Sequence, residues 1–426
     1  MTTQTSCKRN YASPRWTYEL PDCSMPVTFD QYSKCSFRCM YCFAFNQKAV
    51  GLSKDNYLDH SIRSVNPEKV IKIFEDAKAA AQGKAEHKGQ FSQYIGQRRA
   101  IQWGGLADPF DPLEKRLGVG LEILRYLRAE KYPVSFSTKA TWWLHDPRYR
   151  ELFDGANHFH VKVSIITVDQ AKARAIEVGV PSPQERLDGI RELASLGLAG
   201  VTLRFRPFII GISNPRHLEL IDLAADAGAD SVSTEFFCME QRAVLARAMY
   251  ERISREAGVN LVEFYRKHSV GQGYLRLNRA IKVPFWMAMR AKAHERGMRF
   301  HVSDNHGKDF NDGGSCCGCP ESFSWARGQF TNAIMMAKKN GLVTWQQVAK
   351  NFEGDFDFLW RKADGFNTNS AEARAKFHSF SMADYLRWLW NNTKSNRGVY
   401  HAYAEVLEPA GTDAEGNTIF RYRGTK

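Results

Sequence analysis

Between about residue 95 and residue 305 the chain alternates short apolar runs with longer stretches whose apolar residues recur every three or four positions. The runs predict strands over Met25–Phe29, Ala100–Leu106, Pro133–Thr138, His158–Ile166, Gly200–Ile209, Asp230–Phe237 and Met298–Ser303. The amphipathic stretches Leu117–Arg128, Ser182–Leu196, Pro215–Ala227 and Pro284–Arg296 predict helices between them. Gly197, Gly228 and Gly297 stand where a helix stops before the next strand. Strands alternating with helices imply an α/β fold with a parallel sheet, here a full or partial TIM-type barrel over residues 25–305. An extension of residues 1–24 precedes it. In such barrels chemistry gathers at the C-terminal ends of the strands.

The pattern breaks after Ser303. Asp304–Ser315 is polar and glycine-rich and leads into a cysteine-rich loop, residues 306–322. From 323 to 426 the chain reads as a helical, Trp-rich extension carrying Trp325, Trp345, Trp360, Trp388 and Trp390. A hairpin is predicted at its end, around Glu415-Gly416-Asn417.

Composition adds a sign. Lys and Arg number 59 against 46 Asp and Glu, a net charge of +13, which favours polyanionic partners and nucleic acid first. No run reaches the roughly 18 apolar residues of a membrane span. The first residues lack the apolar core of a secretory signal, so a cytoplasmic protein is expected, in the host cytoplasm if the source is viral.

The nine cysteines are spaced as metal ligands are, in two knots with Cys7, Cys23 and Cys238 apart. Cys35-Ser-Phe-Arg-Cys39-Met-Tyr-Cys42 puts three thiolates on one short loop. They can bind three irons of a [4Fe–4S] cubane and leave the fourth open to a cofactor. A structural zinc site would want four ligands. The second knot is Cys316-Cys317-Gly318-Cys319.

CxxxCxxC with an aromatic, Tyr41, before its last cysteine resembles the signature of the radical S-adenosylmethionine (SAM) superfamily. The resemblance implies that the open iron holds SAM and that reductive cleavage yields a 5′-deoxyadenosyl radical, which abstracts a substrate hydrogen. It also implies an external one-electron reductant of flavodoxin or ferredoxin type. Gln102-Trp103-Gly104-Gly105 resembles the family's glycine-rich segment at the methionine amino group, where a side chain would obstruct the backbone. Ala107-Asp108-Pro109-Phe110-Asp111-Pro112-Leu113-Glu114 and Ser137-Thr138-Lys139 are similar to stretches of the spore-photoproduct-lyase-like branch. So are Ser164–Thr167, Pro181–Pro183 with Arg186-Leu187, and Arg206–Gly211. On this likeness Tyr41, Gly104, Gly105, Asp108, Lys139, Ser164, Arg204 and Arg206 are the candidate cofactor-binding residues, Lys139 being able to pair with the SAM carboxylate.

For Cys316, Cys317 and Cys319 three readings stand. They hold an auxiliary iron–sulfur cluster with Cys238 or His306 as fourth ligand; or one thiol, with Cys238 the catalytic candidate, gives a hydrogen atom to a product radical; or the loop is inert or binds zinc. The charge, the branch resemblance and pairs such as Trp360-Arg361 and Arg387-Trp388 agree with a DNA base or modified nucleotide as substrate, aromatic faces stacking on bases. Core packing is the other use of those Trp residues. The branch also contains phage enzymes that isomerise an amino-acid-modified thymine in viral DNA, the sharpest substrate expectation. A peptide-modifying enzyme with an auxiliary cluster and a non-enzymatic iron–sulfur DNA-binding sensor are the alternatives. SAM cleavage separates the sensor from either enzyme.

Overall fold

The computed structural model describes residues 13–16, 23, 25–44, 62–89, 91–240, 246–270, 274–323, 330–352, 382–394 and 398–424. Cys7, Trp325, Trp360 and Arg361 lie outside them, as does most of the 1–24 extension. The chain forms two compact units. One is drawn from Met1–Arg15, Thr28–Ile71 and Ile101–His301, the other from Trp16–Val27, Lys72–Ala100 and Val302–Lys426.

The first unit is built on an eight-stranded sheet. Its strands are β1 (Arg15–Trp16), β2 (Val27–Phe29), β3 (Ile101–Trp103), β4 (Val134–Thr138), β5 (Phe159–Ser164), β6 (Gly200–Phe208), β7 (Ser231–Phe236) and, after three strands outside this sheet, β11 (Arg299–Val302). They lie in the order β1-β2-β3-β4-β5-β6-β7-β11. From β2 to β7 every pairing is parallel. β1 and β11 are not neighbours, so the α/β fold is a partial barrel rather than a closed one. All seven predicted strands are present. The stretch 117–128 is divided because Gly118 adopts φ 61, ending one helix at Leu117 and opening the next at Val119. The helix expected from Pro284 begins at Arg279, where the Asn278 side chain accepts from Ile281 N at 3.1 Å.

The two faces of the sheet differ in kind. Alternate residues point to opposite sides of a strand. Trp103, Phe136 and Phe159 share the face that packs under helices; Trp103 and Phe136 stack at 5.4 Å, and Phe136 meets Phe159 edge-on at 5.1 Å. Helix Arg279–Glu295 lays Trp286 against Phe236 there, at 5.8 Å. The opposite face is polar. Ser135 Oγ, His160 Nδ1, His160 Nε2, Thr202 Oγ1 and Ser231 Oγ form a chain with links of 2.8, 2.7 and 2.7 Å across four strands.

Between β7 and the helix Arg279–Glu295 lies an insertion that the periodicity did not reveal. Strands β8 (Cys238–Glu240), β9 (Ser269–Val270) and β10 (Tyr274–Leu277) form a small antiparallel sheet in the order β8-β10-β9. Helices Ala246–Ala257 and Leu261–His268 accompany it.

The second unit combines helices with a three-stranded sheet of β12 (Leu342–Val343), β14 (Thr418–Tyr422) and β13 (Leu407–Thr412). The last two form the expected hairpin. Trp390 and Trp345 are buried in its core with Phe330, Leu386 and Phe420, so packing rather than base stacking accounts for these two indoles. Trp388 packs partly buried against the same core, and Arg387 binds Asn417 and Glu415. Among the described residues no helix is long and apolar enough to cross a membrane.

Candidate functional site

The loop Cys35–Cys42 follows β2 at its C-terminal end and is held from two sides. On one side the Asp111 carboxylate accepts from Ser36 N at 2.5 Å and from Ser36 Oγ at 2.8 and 2.9 Å. The same carboxylate caps helix Pro112–Leu117 by accepting from Leu113 N at 2.9 Å. One acid thus ties the loop to the first turn of a helix.

On the other side the loop pairs with the end of helix Gln170–Ile176. Cys39 and Glu177 form an antiparallel bridge, and Met40 N donates to Ile176 O at 2.9 Å. Tyr41 donates its hydroxyl hydrogen to Glu177 Oε1. The other oxygen of Glu177 accepts from Arg186 Nη2 at 2.6 Å, and Arg186 Nη1 donates to Ser164 O at 2.7 Å. Arg186 and Glu177 are both buried, so each needs the other: removing one partner of such a pair leaves an uncompensated charge. Between the two anchors Arg38 takes the left-handed region at φ 50, a conformation uncommon for a side chain with a Cβ.

The three thiols are half-buried free cysteines. Burial, then the carboxylates of Asp111 and Asp108, pushes the Cys35 thiol well up. Burial likewise pushes Cys39 up to about 12, partly offset by the Lys139 ammonium. Cys39 adds to the rise at Cys35 and Cys42 to the rise at Cys39, so Cys39 stands within electrostatic reach of both other sulfurs. A cation joining Cys35 and Cys39 would favour their thiolates. Among the described residues no three His, Cys, Asp or Glu are gathered around the point a single metal ion would occupy. That is no obstacle to a cubane, in which each thiolate has an iron of its own. Three soft donors on a braced loop therefore fit an iron–sulfur cluster.

The other candidates surround this loop or the polar face. Lys139 Nζ lies 5.7 Å from the centre of the Tyr41 ring. Asp108 is buried and engaged within the protein: Oδ1 accepts from Phe110 N (2.9 Å) and Thr138 Oγ1 (2.8 Å), Oδ2 from Lys139 N (2.6 Å). Burial raises its carboxyl to about 6 despite those donors. Gly104 has φ 93, and a Cβ on it would stand 2.6 Å from Ser137 O; one on Gly105 would stand 2.3 Å from Thr28 Oγ1. Close approach of the protein's own strands thus already requires both glycines. Asp30 fixes the next residues, accepting from Leu106 N and Ala107 N at 2.8 and 2.9 Å.

On the polar face Arg204 Nη1 donates to Ser164 Oγ at 3.4 Å, and Arg206 pairs with Glu235. Burial would raise the Glu235 carboxyl, but Arg206, then Arg204 and Arg276, hold it below the usual range. Cys238 stands outside the large sheet, half-buried at the start of β8 and opposite Arg276, its thiol directed to Phe236 O at 3.7 Å.

The second cysteine loop belongs to the other unit. Cys316, Cys317 and Cys319 are buried, with the sulfurs of Cys316 and Cys317 4.0 Å apart and Ser315 Oγ 2.8 Å from Cys319 Sγ. Ser303 Oγ donates to Cys316 O at 3.0 Å. His306 is engaged by Glu405, Nδ1 to Oε2 2.5 Å.

Glu177, Arg186 and Asp111 were not singled out for a role by sequence reasoning. Their signal was faint: Asp111 lies in a recognised stretch, but nothing local links Glu177 to a tyrosine 136 residues earlier. The polar face was more accessible, because His160-x-Lys162-x-Ser164, Thr202-x-Arg204-x-Arg206 and Ser231-x-Ser233-x-Glu235 alternate strictly, unlike strands of a parallel sheet buried on both faces.

No protein-family model matches the chain, and neither does any curated protein. Similar solved structures include a spore photoproduct lyase variant with dinucleoside spore photoproduct, 17% identical at a TM-score of 0.47, the match covering 66% of this chain and 76% of that one. Spore photoproduct lyase complexed with the same dinucleoside gives 17% and 0.46 over 70% and 79%. Streptococcus suis SuiB bound to S-adenosylmethionine is 12% identical with a TM-score of 0.39, over 66% of this chain and 51% of its own.

Proposed function

We propose that this protein is a radical SAM enzyme, its [4Fe–4S] cluster held by Cys35, Cys39 and Cys42. The observation that carries the proposal is the bracing of the CxxxCxxC loop at the C-terminal edge of a parallel sheet, by Asp111 on one side and Glu177 with Arg186 on the other. Bound there, the cluster and SAM would supply one-electron cleavage of the sulfonium and hydrogen abstraction from an unactivated carbon.

The chain's own residues do the rest. Asp111, Glu177 and Arg186 fix the backbone that presents the thiols, so little reorganisation is needed on loading. Lys139 sets a positive charge beside Cys39 and Tyr41, favouring the thiolate and able to hold a carboxylate. Ser164 and Arg204 offer donors on the polar face, where SAM and substrate would meet. Cys238 is the proposed thiol donor to a product radical; its half-exposed sulfur fits a group that must be regenerated from outside. Cys316, Cys317 and Cys319 are proposed as ligands of an auxiliary cluster. Their donor set, three buried soft thiols within one loop, suits iron–sulfur ligation, while His306 is already engaged by Glu405.

For substrate we propose a nucleic-acid base or modified nucleotide, with isomerisation of an amino-acid-modified thymine in phage DNA as the specific reaction. The charge of +13 and the cationic residues of the polar face support an anionic polymer or nucleotide. A base in a duplex would have to be flipped out to reach such a site. The test is incubation of the reduced, cluster-loaded protein with SAM and thymine-modified DNA, followed by nucleoside analysis. Formation of 5′-deoxyadenosine that rises with the DNA, and with no other polymer tried, supports this reading. Cleavage stimulated only by peptides would replace it with the peptide-modifying alternative.

A further inference from the structure

The brace of the first cysteine loop carries more charge than holding the loop requires. Cys39 and Glu177 meet as an antiparallel bridge, a pairing that sets Cα atoms about 4.5–5.5 Å apart. One oxygen of Glu177 accepts from Tyr41, the residue before Cys42, and the other from Arg186 Nη2 at 2.6 Å. Arg186 is fully buried and Glu177 is 2% exposed, so salt screens neither charge much. The backbone bridge and the Tyr41 hydroxyl would be served equally by a neutral acceptor such as glutamine. Burying an ionised carboxylate with its own cation is costly by comparison.

The charges around Cys39 are not equivalent. Burial dominates the rise of its thiol; Lys139 opposes that rise, Glu177 and then Cys42 add to it, and Arg186 opposes it again. Lys139 is half-buried and is the cation proposed above to hold a carboxylate. Glu177 and Arg186 are permanent partners of each other. Of the two, the anion is felt more strongly at the sulfur. The geometry agrees, because Glu177 touches the loop at both Cys39 and Tyr41 while Arg186 bonds the carboxylate and Ser164 O behind it. The pair is a fixed dipole with its negative end toward the loop.

We infer that Glu177 sets the reducing strength of the cluster at Cys35, Cys39 and Cys42, its fixed negative charge, oriented by Arg186, holding the reduction potential low. An added electron costs more beside an anion, and a buried charge acts at low effective dielectric. The lower the potential, the greater the drive to pass an electron to a bound sulfonium. Acting through Cys39 and Tyr41, Glu177 is a positioning residue. The inference rests on the proposed cluster and is independent of the proposed substrate.

The test is a potentiometric titration of the anaerobically loaded full chain. It is followed by the electron paramagnetic resonance signal that the Cys35/Cys39/Cys42→Ala variant lacks. Glu177→Gln keeps an acceptor for Tyr41 and removes the charge. Its midpoint should rise, the reduced-to-oxidised ratio at a fixed potential standing about tenfold above wild type, or about 59 mV for one electron. That shift should persist at high salt. Glu177→Gln/Arg186→Met removes both charges and should move back toward wild type, whereas a loop that had merely lost its brace would depart further. A Glu177→Gln midpoint that is unchanged or lower, or a double variant shifted beyond the single one, overturns the inference and leaves the cluster in place. Absence of any reducible signal that depends on Cys35, Cys39 and Cys42 overturns the cluster reading and the inference with it.

Discussion

The two cysteine loops have the same number of thiols and bury them to different depths. Cys35, Cys39 and Cys42 are half-buried on a loop braced by charged groups, Asp111, Glu177 and Arg186, with Lys139 nearby. Cys316, Cys317 and Cys319 are buried, with the Ser315 hydroxyl beside the Cys319 sulfur and Ser303 Oγ donating to the Cys316 carbonyl. The first arrangement keeps its thiols close to solvent and to a cation, as an exchangeable, electron-accepting site requires. The second shields them, as a structural or auxiliary centre would. The loops therefore differ in the access solvent has to their sulfurs as well as in spacing.

Thiol reactivity gives the largest contrast. With its thiol pushed up to about 12, Cys39 in cluster-free protein is almost wholly protonated at pH 8. Its alkylation should be about a thousandfold slower than that of an ordinary thiol of pKa near 8.5, rising with pH until about 12. Peptide mass spectrometry after timed iodoacetamide treatment measures this. Rapid labelling of Cys39 at pH 8 would mean that the loop lacks the surroundings described.

The Glu177–Arg186 pair comes next. Arg186→Met leaves a buried carboxylate without its partner, which costs about 3–5 kcal/mol in comparable cases. The thermal midpoint should fall and iron at the first loop should drop, while iron at the second loop should not. Glu177→Gln retains an acceptor for Tyr41 and should keep more of its iron than Arg186→Met. Equal iron loss from both loops would show a general folding defect instead of a local brace.

Asp111→Ala removes a helix cap and the acceptor of Ser36 together, for about 1–3 kcal/mol. It should broaden or shift the electron paramagnetic resonance signal of the reduced first cluster. Ser182→Ala is the control of smallest effect. It breaks a capping box on helix Pro183–Ala194 for about 1 kcal/mol and should leave that signal unchanged.

The sheet was legible in the sequence because each strand is a compact apolar or alternating run bounded by glycine, proline or charge. Val134–Thr138 and Phe159–Ser164 lie inside their predicted spans for that reason. The insertion holding β8, β9 and β10 was not legible: its strands are two to four residues long, too short for periodicity to register. The cysteine loop was visible from spacing alone. Its braces were not, because Asp111, Glu177 and Arg186 meet it only through the fold, from positions 75 to nearly 150 residues away in sequence. Gly104 and Gly105 stood out as glycines; only the structure shows Ser137 and Thr28 crowding them.

The most direct measurement is an anaerobic iron and sulfide count, with an assay of reductive SAM cleavage, on wild type and on the Cys35/Cys39/Cys42→Ala variant. About eight irons are expected in the wild type and about four in the variant, with 5′-deoxyadenosine formed by the wild type alone. Four irons in the wild type would leave the radical site intact and remove the auxiliary cluster. A fully loaded wild type that forms no 5′-deoxyadenosine on reduction would contradict the central claim and favour an iron–sulfur sensor.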